Sequence, residues 1–492
     1  RRRASMKKFY LTTTLPYVNA EPHIGFALEI VQADVVARIK RAEGYEVVFN
    51  FGTDEHGAKI YEKAREAGKD PQAYADEYAV KFDNLKQALN LSYTNFIRTT
   101  DPHHMSAAQE FWKRCDASGD IYKKQYKVKY CVGCELEKTD SELENGQCPI
   151  HPDRDLEIRE EENYFFRFSK YRRQLLDLYE STPDFVIPER RMREIISFVE
   201  GGLEDFSVSR LKEKMPWGIP VPGDDTQVQY VWFDALINYI STLGWPENEE
   251  NFSAYWPGIQ FAGKDNLRQQ SAMWQAMLLS AGLTPSKQVI IHGFINSNGQ
   301  KMSKSLGNVI SPFDIVGRYG TDALRFWLLR ELSPFEDGDF TWDKFEARYQ
   351  GDLANGLGNY AARALTLGGK AGAMQFKQPE ADVLEQVEKT REAVSVNMAA
   401  YKYNEALAAI WELISFGDAY LNNKKPWEGN GNAYAIYNAV VILDHVAALL
   451  KPFLPGAAEK ITGAITWKSE HDLEVEKIGS LFPRLDSAKP AN

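Results

Sequence analysis

Residues 9–14, Phe-Tyr-Leu-Thr-Thr-Thr, are aromatic and β-branched and predict a strand. After the loop Leu15-Pro16-Tyr17-Val18-Asn19, apolar residues recur at steps of three and four: Ile24, Ala27, Leu28, Val31, Val35 and Ile39. That period predicts a helix, with Gly44 as its stop. A second strand, Val47–Phe51, runs into Gly52-Thr53-Asp54. Strand, helix and strand in this order predict a βαβ unit opening a parallel, doubly wound sheet. The same grammar returns downstream. Residues 227–233 read as a strand, 235–243 as a helix, 260–262 as a short strand, 267–281 as a helix and 289–292 as a strand. Between the halves, residues 118–225 carry more charge and several short strand-like runs, and read as an insertion. Past about residue 352 the strand signals vanish, and 352–366, 383–422 and 432–451 show helical spacing, predicting an all-α bundle.

The expected organisation is therefore an α/β sheet domain in two halves, 6–117 and 226–305, split by an insertion over 118–225. A linking region, 306–351, and a helical domain, 352–492, follow. Residues 1–5 read as a leftover from expression ahead of Met6. No apolar run looks long enough to span a bilayer and no secretory apolar region opens the chain, so a cytoplasmic location is expected. The net charge of −11 argues against coating of nucleic acid, although a local basic stripe can suffice for RNA. Three of the four cysteines, Cys131, Cys134 and Cys148, fall in one stretch, while Cys115 stands alone and reads as an inert thiol. This usage does not suggest a disulfide scaffold.

Three motifs carry chemistry. His23-Ile24-Gly25-Phe26 sits where the first helix begins. Free N–H groups at a helix start suit a phosphate, an imidazole adds a donor, and Gly25 leaves room for a flat base. Read blandly, it is a helix-starting His beside a packing Gly. Lys301-Met302-Ser303-Lys304-Ser305 follows the 289–292 strand, with Gly299 and Gly307 nearby. Two lysines three residues apart make a cationic clamp for a departing polyphosphate, against the alternative of a solvated polar loop. Cys131-x2-Cys134-x13-Cys148-x2-His151 supplies three thiolates and an imidazole, the ligand set of a closed tetrahedral Zn²⁺ site. Four protein ligands leave no open position, so this zinc is expected to be structural.

The pair of an HIGH-like motif and KMSKS on a split sheet resembles the class I aminoacyl-tRNA synthetases, and more narrowly the methionyl-tRNA synthetases. The resemblance runs from about residue 8 to about 480. It includes Gly52-Thr53-Asp54-Glu55-His56-Gly57, Tyr230-Val231-Trp232-Phe233-Asp234-Ala235, Gly263-Lys264-Asp265 and His292-Gly293-Phe294. It implies a Rossmann-type catalytic domain split by a zinc-bearing insertion, followed by an α-helical anticodon-binding domain. It further implies ATP-dependent activation of methionine, with Mg²⁺ accompanying ATP, and transfer to tRNA(Met). His23, Lys301 and Lys304 become the expected catalytic groups, and His23, Gly25, Lys301, Met302, Ser303, Lys304 and Ser305 the ATP-binding ones. Leu15, Tyr17, Asp54, Trp232, Ala235, Tyr239, Gln270 and Trp274 match the methionine site, with Asp54 at the ammonium. Asn359, Arg363 and Trp427 match positions that meet the anticodon; a plain helical face and a core ring are the bland alternatives.

Three departures stand out. Gln270 and Gln275 replace the family's commoner His and Pro, and Phe26 replaces the second His of HIGH. The missing donor is expected to be covered by Asn19 or by the Lys301/Lys304 loop. Rival readings are a sister synthetase, a nucleotidyltransferase of the same superfamily, or a degraded tRNA-binding paralogue. The aromatic pocket, the single zinc knuckle and the helical domain favour the methionine enzyme. The chain ends soon after the helical domain, so a monomer is expected.

Overall fold

The computed structural model describes residues 6–131, 136–138, 143–149, 152–302, 306–428 and 432–485. Six parallel strands form its central sheet: β1 (Lys8–Thr13), β2 (Glu46–Thr53), β3 (Asn95–Arg98), β4 (Val186–Ile187), β5 (Ile259–Gly263) and β6 (Gln288–His292). Their spatial order is β3-β2-β1-β5-β6-β4. The order reverses between β1 and β5, and the crevice at that switch point is where such sheets bind nucleotides. β4 comes from inside the 118–225 stretch that reads as an insertion, so part of that stretch belongs to the sheet. Two residues are too short to show a period, which is why the sequence pattern passes over them.

Alternation on the strands divides two cores. Phe9 and Leu11 of β1 and Ile290 of β6 face one side, with Tyr10, Val289 and Ile291 on the other. The first helix, Ile24–Ala42, covers the first side. It is buried nearly all round from Ile24 to Ala37, beyond the stripe its period predicts, because the segment Trp327–Glu331 packs against it as well as the sheet. The predicted strand over 227–233 instead ends at Gln229, and the chain turns into a helix over Val231–Leu236. The helix expected over 267–281 contains a π-helical turn, Gln269–Met273, before Trp274–Ser280.

Helices Asn359–Ala371, Ala381–Ala399, Tyr403–Lys424, Ala433–Leu450 and Pro455–Gly463 dominate the C-terminal part. It is not all-α: Met374–Gln375, Ile465–Ser469 and Asp472–Val475 form a small antiparallel sheet. Such short strands carry too few alternations to register in sequence. Contrary to the sequence reading, Ala433–Leu450 is apolar and long enough to cross a bilayer by composition, but 67% of it is buried inside the protein. That is how the central helix of a bundle is expected to look.

Candidate active site and anticodon face

A cavity of about 240 Å³ opens at the switch point, lined among others by Thr14, His23, Gly25, Phe26, Glu29, Asp265, His292, Phe294, Lys301 and Met302. His23 is the N-cap of the first helix and its Nδ1 accepts the Gly25 N–H at 3.0 Å. The Ile24 N–H is taken by the Ile310 carbonyl at 3.1 Å. The first two helix N–H groups therefore already have partners, and the free anion-binding terminus expected from sequence is not there. What remains is the His23 Nε2. Burial pushes the imidazole pKa down to about 4, so the ring is neutral near pH 7. With Nδ1 accepting, the single proton sits on Nε2 as a donor. Gly25 matters for this ring: a Cβ there would lie 2.7 Å from the His23 Cε1. Phe26 packs its ring 4.4 Å from His23 and edge-on to Phe82 at 5.7 Å. Asn19, offered as a compensating donor, does not line the cavity among the described residues.

The cavity holds groups that motif reading missed. Glu29 accepts from the Thr14 N–H and hydroxyl, each at 2.6 Å, with one oxygen. Its other oxygen meets His292 Nε2 at 2.7 Å, while His292 Nδ1 lies 2.7 Å from the Gly293 carbonyl. Burial works against charge on His292, but Glu29 outweighs it and raises the pKa. Both ring nitrogens face acceptors, as an imidazolium requires. The signal was a carboxylate among the apolar residues of the helix's first two turns, but nothing in the spacing named its partner.

The candidate methionine residues lie on the neighbouring elements, and none of them lines this cavity. Asp54 follows β2 and makes a parallel bridge to Tyr17. It is buried, and its Oδ1 has no hydrogen-bond partner among the described residues. Burial, then the charges of Asp234 and Glu55, hold its pKa well above the usual carboxylate range. Gln270 donates to the Tyr239 hydroxyl at 2.8 Å and accepts from Gln260 at 2.6 Å. Trp274 Nε1 donates to Gln260 at 3.1 Å, and its ring lies edge-on to Tyr239. Gln275 is tied to Ser286 and to the Gln270 carbonyl, so both departures from the family pattern are absorbed into one buried network. Trp232 is 41% exposed, while Leu15 and Ala235 are partly buried.

Lys301 closes a hairpin, Ile295–Ser297 with Gln300–Lys301, around Asn298 and Gly299 at φ 50° and 75°. Two left-handed residues in a two-residue loop are the signature of a type I′ turn, which Asn-Gly favours. The Lys301 ammonium lies 5.9 Å from the Phe294 ring centre, at the cavity. Ser303, Lys304 and Ser305 lie outside the described residues. So do Cys134 and His151. Cys131 and Cys148 are both buried, and no three metal-binding side chains gather among the described residues. Cys115 is buried too, and burial pushes its thiol up to about 12, which keeps it inert.

At the helical end, Arg363 pairs with Asp418 at 2.6 Å and donates to Asn422 at 2.8 Å. Its guanidinium lies 5.5 Å from the centre of the Trp427 ring, which is 48% exposed. Trp427 is thus a surface ring rather than a core one. Asn359, one helical turn before Arg363, is partly exposed.

A parallel sheet with a cavity at its switch point, joined to a helical bundle, defines the class. Residues 9–156 and 137–365 match the family described as tRNA synthetases class I (M), and residues 380–481 match the anticodon-binding domain of tRNA ligase. The methionine–tRNA ligase of Thermotoga maritima is 42% identical, over 97% of this chain and 78% of that protein. The one from Mesorhizobium japonicum is 40% identical, over 93% of this chain and 91% of that protein. The structure of Mycobacterium tuberculosis methionyl-tRNA synthetase in complex with methionyl-adenylate superposes with a TM-score of 0.87 at 36% identity, over 93% of this chain and 94% of that one. The chain belongs to the class I aminoacyl-tRNA synthetases, and among them to the methionyl-tRNA synthetases. Its activity is that of a methionine–tRNA ligase.

Proposed function

We propose that ATP occupies the 240 Å³ cavity and methionine the adjoining ground between Asp54, Tyr17 and Tyr239. The observation that carries this reading is the Asp54 Oδ1, buried just past β2 and without a hydrogen-bond partner among the described residues. Its carboxylate takes the methionine ammonium. The methionine carboxylate attacks the α-phosphorus, the bond to the bridging oxygen breaks and pyrophosphate leaves. His23 Nε2–H and the Lys301 and Lys304 ammonium groups stabilise charge on the phosphates. No protein nucleophile is needed, because the substrate carboxylate is one. Mg²⁺ bound with ATP would add further neutralisation of the polyphosphate. A hydroxyl of the tRNA's terminal adenosine then takes the acyl group from the adenylate and AMP leaves, while the anticodon bases stack at Trp427 and Arg363 beside Asn359.

Cys131, Cys134, Cys148 and His151 would hold one structural Zn²⁺. Supporting this, Cys131 ends a strand and Cys148 follows a tight Asn145-Gly146 turn, both thiols being buried in a small lobe. We further read the protein as a cytoplasmic monomer. Amino-acid-dependent ATP–pyrophosphate exchange tests the site. Wild type should exchange with methionine alone, and Asp54→Asn should abolish it; unaltered exchange in that variant would remove Asp54 from the site.

A further inference from the structure

His56 lies two residues after Asp54, and its ring Nδ1 lies 2.7 Å from Asp234 Oδ2. The other Asp234 oxygen meets His104 Nε2 at 2.7 Å, and His104 Nδ1 faces the Ser241 hydroxyl at 2.8 Å. Asp234 and His104 have no exposed surface and His56 has 3%. Asp234 lies in the helix Val231–Leu236, between Trp232 and Ala235, so it joins that helix to the segment after β2. The His56 ring also leans on Trp217 at 5.4 Å, whose indole N–H donates to the Glu55 carbonyl at 2.6 Å. Glu55 itself is matched by Arg98 at 2.6 Å. Among the described residues the Asp54 Oδ1 itself has no hydrogen-bond partner.

A buried carboxylate is costly, and an apolar residue would fill the same volume more cheaply if packing were the only demand. What Asp234 supplies is direction: two acceptor oxygens hold two imidazoles at fixed angles. We propose that Asp234 is the positioning residue of the amine subsite: it fixes the His56 ring, and through it the short Asp54–His56 segment that aims the Asp54 carboxylate at the substrate ammonium. The inference rests on the reading of Asp54 as the ammonium partner. Asp234 touches no substrate atom itself. Its contribution belongs to ligands that carry an α-amino group, and a role limited to packing would not discriminate between ligands in this way.

The test uses the full chain and two compounds, a sulfamoyl analogue of methionyl-adenylate and the same compound lacking the α-amino group. Dissociation constants are measured by calorimetry for wild type, Asp54→Asn, Asp234→Asn and His56→Ala. Asp54→Asn should weaken the amine-bearing compound by about tenfold or more and the deamino compound by less than about twofold. Asp234→Asn, which turns one acceptor into a donor, should show the same selectivity at about fivefold or more. His56→Ala keeps the Asp234–His104 contact and should reproduce that selectivity, so the proposal stays testable if Asp234→Asn fails to fold. Selective loss in Asp54→Asn with equal or no loss in Asp234→Asn and His56→Ala overturns the positioning role alone. Unselective behaviour of Asp54→Asn overturns the amine subsite and the proposal with it.

Discussion

The guanidinium of Arg325 lies 2.8 Å from the Asp34 carboxylate, and neither side chain has exposed surface. Arg325 also donates to the carbonyls of Leu89 at 3.1 Å, Pro452 at 3.0 Å and Phe453 at 2.8 Å. One cation therefore joins the first helix, which carries His23 and Glu29, to the C-terminal helices. Arg325→Met leaves Asp34 buried without this partner and should cost about 3–5 kcal/mol in urea denaturation. Burial opposes ionisation of Asp34, but Arg325, Arg38 and Ser92 outweigh it and lower its pKa. A depressed folded pKa gives stability above the unfolded value, lost as pH falls through the folded one. The gap between wild type and variant should narrow in acid. A gap under about 1 kcal/mol at neutral pH, the size of an exposed pair, would count against the strut.

Asp54 works in the opposite direction. Its folded pKa is raised, so the folded state binds the extra proton and loses stability as pH rises from the unfolded value through the folded one. Asp54→Asn should raise the melting temperature of the ligand-free protein at neutral pH while eliminating methionine-dependent exchange. The stability gain should vanish in acid. A variant less stable than wild type at neutral pH contradicts the assignment.

The Phe26 ring packs on His23 and Phe82, and the chain lacks a donor there. Losing one preorganised donor typically costs about 2.7–4 kcal/mol of barrier. With His23 Nε2–H and Lys301 at the cavity, Phe26→His should change the exchange rate by less than about tenfold, under roughly 1.4 kcal/mol. A gain of a hundredfold or more would reveal a site crippled by Phe26.

Trp427→Ala removes an exposed ring at the helical end, far in sequence from the nucleotide cavity. Loss of a base–aromatic stack should cost about 1–3 kcal/mol in tRNA charging. Pyrophosphate exchange should stay unchanged. Equal losses in both assays would assign the ring to stability alone.

Freshly purified protein should contain one Zn²⁺ per chain by elemental analysis. Cys134→Ser should release it and make the 121–166 lobe more sensitive to protease, because so small a lobe has little core of its own. Metal-free protein with an intact lobe would refute the site.

Much of the catalytic architecture was legible because its signals are local. The period of Ile24, Ala27, Leu28 and Val31 and the β-branched runs flanking it sufficed for the first βαβ unit, and the KMSKS string marked Lys301. The resemblance carried by those motifs located Asp54, Tyr239 and Trp427, none of which spacing alone distinguishes from core or surface residues. Tertiary structure decided everything that depends on partners distant in the chain. It paired Glu29 with His292 and Asp34 with Arg325, hundreds of residues apart, and put one carboxylate, Asp234, between His56 and His104. It also used up the helix N–H groups of Ile24 and Gly25, leaving His23 Nε2 as the donor. Periodicity reports which face of an element is apolar. It holds no record of which buried charge meets which, because that pairing is set only when the elements pack and burial makes an unpartnered charge too costly to keep.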